Sequence, residues 1–157
     1  MSAKVGRRVR KPGRRGARRR RRNDPRVLAA VSLGGALGAP ARYGIAQVVY
    51  ITPGTFPWGT FWINISGSFA LGFILVLLLE RFPPSRYIRP FVATGFLGAY
   101  TTYSTVAVES DLLVKNGHWA VAAAYTAGSF AAGFLAVWAG LVLARALPSF
   151  RSDRHAT

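Results

Sequence analysis

Four apolar blocks, at roughly residues 27–50, 58–79, 91–114 and 119–147, are joined by connections too short to hold a folded domain. Each block has about the 20 residues that cross the hydrocarbon of a bilayer. The connections run over about residues 51–57, 80–90 and 115–118. The pattern predicts an all-α membrane protein with four transmembrane helices, in which any chemistry lies between helices. Cysteine is absent, which excludes disulfides and thiolate metal sites.

The third block carries a stretch that a lipid-facing helix would not use. Residues 95–105 read Gly-Phe-Leu-Gly-Ala-Tyr-Thr-Thr-Tyr-Ser-Thr. Glycines and hydroxyl residues at this density predict that the third helix is broken in mid-membrane. Backbone groups freed by a break cannot bond to lipid, so irregular structure persists there only when protein buries it or when it lines a polar cavity. The segment therefore points to transport.

The formal net charge of +16 would suggest a nucleic-acid binder if it were evenly spread. It is not: 13 of the 21 basic residues precede Val27. Residues 1–26 read as a disordered polybasic tail, residues 27–147 as the membrane domain and residues 148–157 as a short C-terminal tail. Basic residues next to spans stay on the cytoplasmic side, which places the N-terminus there. The 80–90 connection, with Arg81, Arg86 and Arg89, then falls on the same side. So does the C-terminus, with Arg145, Arg151 and Arg154, while Lys115 alone is clearly outside. One fixed orientation in the membrane is expected, with both termini cytoplasmic. The arm suits anionic membrane lipid. No aromatic residue interrupts it to stack on bases, so nucleic acid is not expected as a partner. No cleavage pattern marks the first block as a secretory signal.

Within the blocks, the polar residues select the candidates. Arg42 is either a fixed charge in a water-filled vestibule or a side chain that snorkels to the interface. Asn64, Ser68 and Gly72 recur every four residues on one helical face, and Tyr125, Ser129 and Gly133 repeat that spacing. Asn64 can donate to an anion or bond a neighbouring helix. Gly128, Gly133 and Gly140 read as close-packing positions. Glu109 ends the polar run of the third block and can cap, pair or line a pore, whereas Glu80 and Asp111 lie near block ends. No carboxylate occupies the middle of the first span, which argues against a small multidrug-type exporter. His118 and His155 form no motif, and no nucleophile elbow, phosphate loop or metal-ligand cluster is present, so the chain is not expected to be an enzyme.

Four groups of residues resemble the small bacterial fluoride channels of the Fluc or CrcB family. They are Gly34-Gly35-Ala36-Leu37-Gly38-Ala39 with Arg42-Tyr43; Gly59-Thr60 with Asn64 and Gly67-Ser68-Phe69; Gly95 to Gly98 with Thr101 to Thr105 and Glu109; and Ser129 with Gly133. The resemblance implies an antiparallel dual-topology-type dimer with two fluoride pores and passive fluoride export. It also implies a structural sodium ion at the dimer centre, held by the main-chain carbonyls of Gly98 and Thr101. Asn64, Ser104 and Thr105, with Tyr125 and Ser129, would line a polar track, and Arg42 would stand in the vestibule. The family usually carries phenylalanine at two ring positions where this chain has Tyr103 and Val106. That departure, with the lopsided charge, suggests pairing with an oppositely oriented homologue rather than with a second copy. The competing expectation is a non-conducting partner subunit.

Overall fold

The computed structural model describes residues 24–49, 53–83 and 85–147. Most of the basic tail, the end of the first block at Tyr50 and the C-terminal tail lie outside the described residues. Helix α1 spans Pro25–Val48. It begins two residues inside the expected tail because Asp24 caps it: the carboxylate accepts from Arg26 N–H at 3.0 Å, and Pro25 supplies a preset φ at the first position. Helix α2, Trp58–Val76, continues as one wide π-turn over Leu77–Arg81. Helix α3 is wound as a π-helix over Pro90–Leu97 and ends in the single α-turn Gly98–Tyr100. Helix α4 spans Tyr103–Lys115 and α5 spans Trp119–Ala146. Among the described residues there is no strand.

By length and composition, two segments are apolar enough to cross a membrane. They are Trp58–Arg81, with mean hydropathy 2.1, and Trp119–Ala146, with mean hydropathy 1.8. Their outward faces remain apolar: Trp62, Phe134, Leu135 and Trp138 are all exposed. Such a surface is unfavourable in water and natural in lipid.

Small residues set the packing. Helix α2 lies along α5, and α1 lies along α3. A Cβ on Gly34 would overlap the Phe91 carbonyl, and one on Gly38 the Phe96 carbonyl, so α3 backbone sits in notches of α1. Gly72 faces the Val137 backbone and Gly140 faces that of Phe69 and Phe73 in the same way. Without a hydrophobic drive between helices in lipid, this close approach gains dispersion contact. Gly128 departs from the expectation: nothing lies within 4 Å of its would-be Cβ.

The two ends of the bundle differ. At one end Arg86 pairs with Asp24 at 2.8 Å, Arg145 with Glu80 at 3.1 Å, and Arg89 donates to the Leu78 carbonyl at 3.0 Å. Arg81 reaches the last carbonyls of α5, those of Ala144, Arg145 and Leu147. Its cation thus meets the negative end of that helix dipole. At the other end rings pack instead. Phe56 meets Tyr125 edge-on at a 5.2 Å centroid distance and Phe61 at 5.3 Å. A small core of Val106, Leu113, Ala122 and Tyr125 lies below them.

A cavity at a helix interruption

Two residues separate α3 from α4. Thr101 and Thr102 are extended, with φ and ψ of −79° and 157°, and −150° and 115°. In a continuous helix the N–H of Thr102 would bond the Gly98 carbonyl, and that of Thr105 the Thr101 carbonyl. Neither does so. Thr102 N–H donates to Asn64 Oδ1 at 2.8 Å, and Thr105 N–H donates to Thr102 Oγ1 at 3.2 Å. The second contact is an N-cap on α4, which Thr provides well. Both displaced carbonyls therefore lose their helical donors. Gly98 and Thr101 are the two residues that the family resemblance assigned to a cation.

The interruption forms one wall of a cavity of about 360 Å³. Asn64, Gly67 and Ser68 of α2 and Ser129, Gly133 and Phe134 of α5 face it across the gap. Ser129 Oγ is buried and has no hydrogen-bond partner among the described residues. Tyr103 and Val106 also line the cavity, but differently: Tyr103 is 71% exposed, whereas Val106 is 5% exposed and belongs to the core. Tyr103 lies against Phe130, with ring centroids 6.1 Å apart. Ser104 Oγ and Thr105 Oγ1 each meet Thr102 Oγ1, at 3.2 and 2.9 Å.

Glu109 lies two helical turns further along α4. Its Oε1 accepts from Thr60 Oγ1 at 2.8 Å and its Oε2 from Tyr125 O–H at 2.5 Å. Tyr125 is wholly buried, and Thr60 nearly so. A carboxylate between neutral hydroxyls of two other helices ties α2, α4 and α5 together at one point. Of the three uses open to it in the sequence, it takes neither a cap nor a basic partner among the described residues. Arg42 is half-buried on α1 and makes no side-chain hydrogen bond or ion pair among the described residues. The structure thus brings Asn64, Gly98, Thr101, Tyr103, Val106 and Ser129 to one cavity, joins Glu109 to Tyr125, and leaves Arg42 apart.

Thr60, Thr102 and Phe56 were not singled out as site residues. Thr60 sat beside a glycine in an apolar run, where a lone hydroxyl gives no signal until its carboxylate partner is known. Thr102 had one: a threonine just before a helical pattern resumes is an N-cap candidate.

Comparison with known proteins agrees with these features. The family model described as CrcB-like protein, Camphor Resistance (CrcB), matches residues 29–141. A Streptomyces avermitilis protein named fluoride-specific ion channel FluC 3 is 51% identical over 119 residues, which are 76% of this chain and 58% of that protein. A Mycobacterium bovis protein named fluoride-specific ion channel FluC 1 is 46% identical over 123 residues, 78% of this chain and 93% of that protein. A Nocardia farcinica protein named FluC 2 of the same type is 43% identical over 120 residues. The chain therefore belongs to the CrcB family, a family of membrane ion channels and not of enzymes.

Proposed function

We propose that this chain is a subunit of a fluoride-selective channel that lets fluoride leave the cell passively. The observation that carries the reading is the cavity, where the interruption, the unpartnered hydroxyl of Ser129 and both ring positions meet on facing walls. Fluoride is small and strongly hydrated, so a pore must replace its water with donors. Hydroxyls of Ser104, Thr105 and Ser129 are donors, and the positive edge of the Tyr103 ring adds to them. Arg42, with its charge unspent among the described residues, would draw anions to a vestibule.

In this reading α1, α2, α3 with α4, and α5 form four membrane crossings, the third broken at Thr101 and Thr102. Two antiparallel subunits enclose the pores, and both termini of this chain are cytoplasmic. A sodium ion at the dimer centre fits the chemistry of the two displaced carbonyls, since hard alkali cations favour carbonyl oxygen. Bound there, it would supply fixed positive charge where screening is weak. Gly98 and Thr101 would hold it, and the extended Thr101 and Thr102 would aim them.

Export needs no further energy source. Hydrogen fluoride enters as a neutral acid, dissociates at cytoplasmic pH, and the membrane potential drives the anion out through a selective pore. The test is fluoride efflux from liposomes holding the purified chain, with chloride as control. Fluoride-selective efflux is the expected result; equal efflux of both ions would overturn the reading.

A second reading rests on Val106 and on the gathering of basic residues at one end. In it the chain works with an oppositely oriented homologue, as a half-competent or non-conducting partner. Silence of the chain alone, rescued by a co-expressed homologue, would favour it.

A further inference from the structure

The interruption is held open by a side chain from another helix. The carboxamide of Asn64, on α2, makes two hydrogen bonds to a single residue. Its Oδ1 accepts from Thr102 N–H at 2.8 Å, and its Nδ2 donates to the Thr102 carbonyl at 3.0 Å. The pair is a fork that replaces, group for group, what a helix would have given Thr102. Helix continuation and the fork compete for one proton, because Thr102 N–H can face either Gly98 or Asn64.

We infer that Asn64 is a positioning residue, acting through the backbone of Thr102 rather than on the transported anion. By holding Thr102 N–H it keeps the Gly98 carbonyl without its helical donor. By holding the Thr102 carbonyl it fixes the residue whose hydroxyl caps α4 and displaces Thr105 N–H from Thr101. One side chain thus governs both displaced carbonyls and the start of α4. A carboxamide suits the task because it carries donor and acceptor in one plane, which no hydroxyl does. The cost of removing it is high at such a site, since two backbone groups would lose their protein partners together.

The consequence for conduction rests on the channel reading, but the fork is testable without transport. In the unaltered chain in nanodiscs, amide hydrogen exchange of Thr102 should be about tenfold slower than that of Tyr103 and Ser104, whose N–H groups meet no acceptor among the described residues. Equal rates would overturn the proposal, whatever the variants do.

The decisive variant is Asn64→Asp. A protonated carboxyl has the same donor and acceptor as the amide, whereas the ionised form turns an oxygen toward the Thr102 carbonyl and repels it. Glu109 reaches Thr60, one turn of α2 from Asn64, so the unaltered chain is the control, and a titration present only in the variant belongs to the substitution. The Thr102 amide resonance and fluoride efflux should then titrate together, with one midpoint and with efflux retained on the acid side. Efflux that titrates while the Thr102 resonance stays fixed would assign Asn64 to the anion directly and sink the positioning role. A Thr102 resonance that titrates in the variant, with no efflux from the unaltered chain at any pH with or without a co-expressed homologue, would uphold the fork and refute the channel reading instead.

Discussion

The contact between α2 and α5 makes a prediction whose sign reverses along a single helix. At Gly140 an added Cβ would overlap the Phe69 carbonyl oxygen and stand 2.8 Å from Phe73 N, where ordinary contact begins near 3.4 Å. All of these obstacles are backbone, so no rotamer change relieves them. The helices must part locally by about 1 Å, a gap that forfeits up to about half of each dispersion contact it opens. Overpacking of this kind costs about 1–3 kcal/mol. Against it stands the helix propensity gained from Gly to Ala, about 1 kcal/mol. Gly140→Ala should therefore destabilise by up to about 2 kcal/mol. Gly128→Ala, on the same helix with nothing within 4 Å, receives the propensity term alone and should stabilise by up to about 1 kcal/mol. Gly72→Ala strains the same contact from the other side, at the Val137 backbone. Combined with Gly140→Ala it should cost less than the sum, because the helices part once. The assay is thermal unfolding of the purified chain in detergent. A shift of the same sign for Gly140→Ala and Gly128→Ala would refute the reasoning.

Three further outcomes are expected. Thr60→Val and Tyr125→Phe each remove one hydroxyl donor from Glu109, which should destabilise by about 1.5–3 kcal/mol in the same unfolding assay and slow fluoride efflux. A silent Tyr125→Phe would show that the 2.5 Å contact does not hold the carboxylate. Val106→Phe should raise efflux from liposomes if a second ring is what the cavity wall lacks, at an overpacking cost of about 1–3 kcal/mol in the core it shares with Leu113, Ala122 and Tyr125; unchanged efflux would leave the missing ring without a role. Arg81→Gln should speed amide exchange in the last turn of α5, since the side chain that caps its carbonyls loses its charge. Protection unchanged there would show that water serves those carbonyls equally well.

The helices and the unusual segment were legible in the sequence because lipid allows few alternatives. An apolar run of 20 residues must be helical, and glycines beside threonines in such a run must do something else. The winding of the helices was not legible. The π-turns at Leu77–Arg81 and Pro90–Leu97 leave no compositional mark, since they answer to what the turn must reach or pack against. The Asn64 fork was half legible: its face was evident from the four-residue spacing to Ser68, but its partner lies 38 residues away and only the fold brings it near. Glu109 was ambiguous for the same reason. A carboxylate declares itself in sequence only when a basic residue sits three or four positions off, and its actual donors are hydroxyls on two other helices.

The gathering of the inter-helix ion pairs at one end has a consequence for how the bundle responds to its surroundings. Contacts such as Asp24 with Arg86 and Glu80 with Arg145 are partly exposed and weaken as ionic strength rises, while ring packing at Phe56 and Tyr125 does not feel salt. Salt is then a one-ended dial. Raising it should increase the breathing of the chain around Pro25, Arg81 and Ala146 and leave the ring packing near Trp58 as it was, since the Asp111–Lys115 pair at that end lies within α4 and joins no two helices. A single molecule would carry one adjustable end and one fixed end, with the interruption between them.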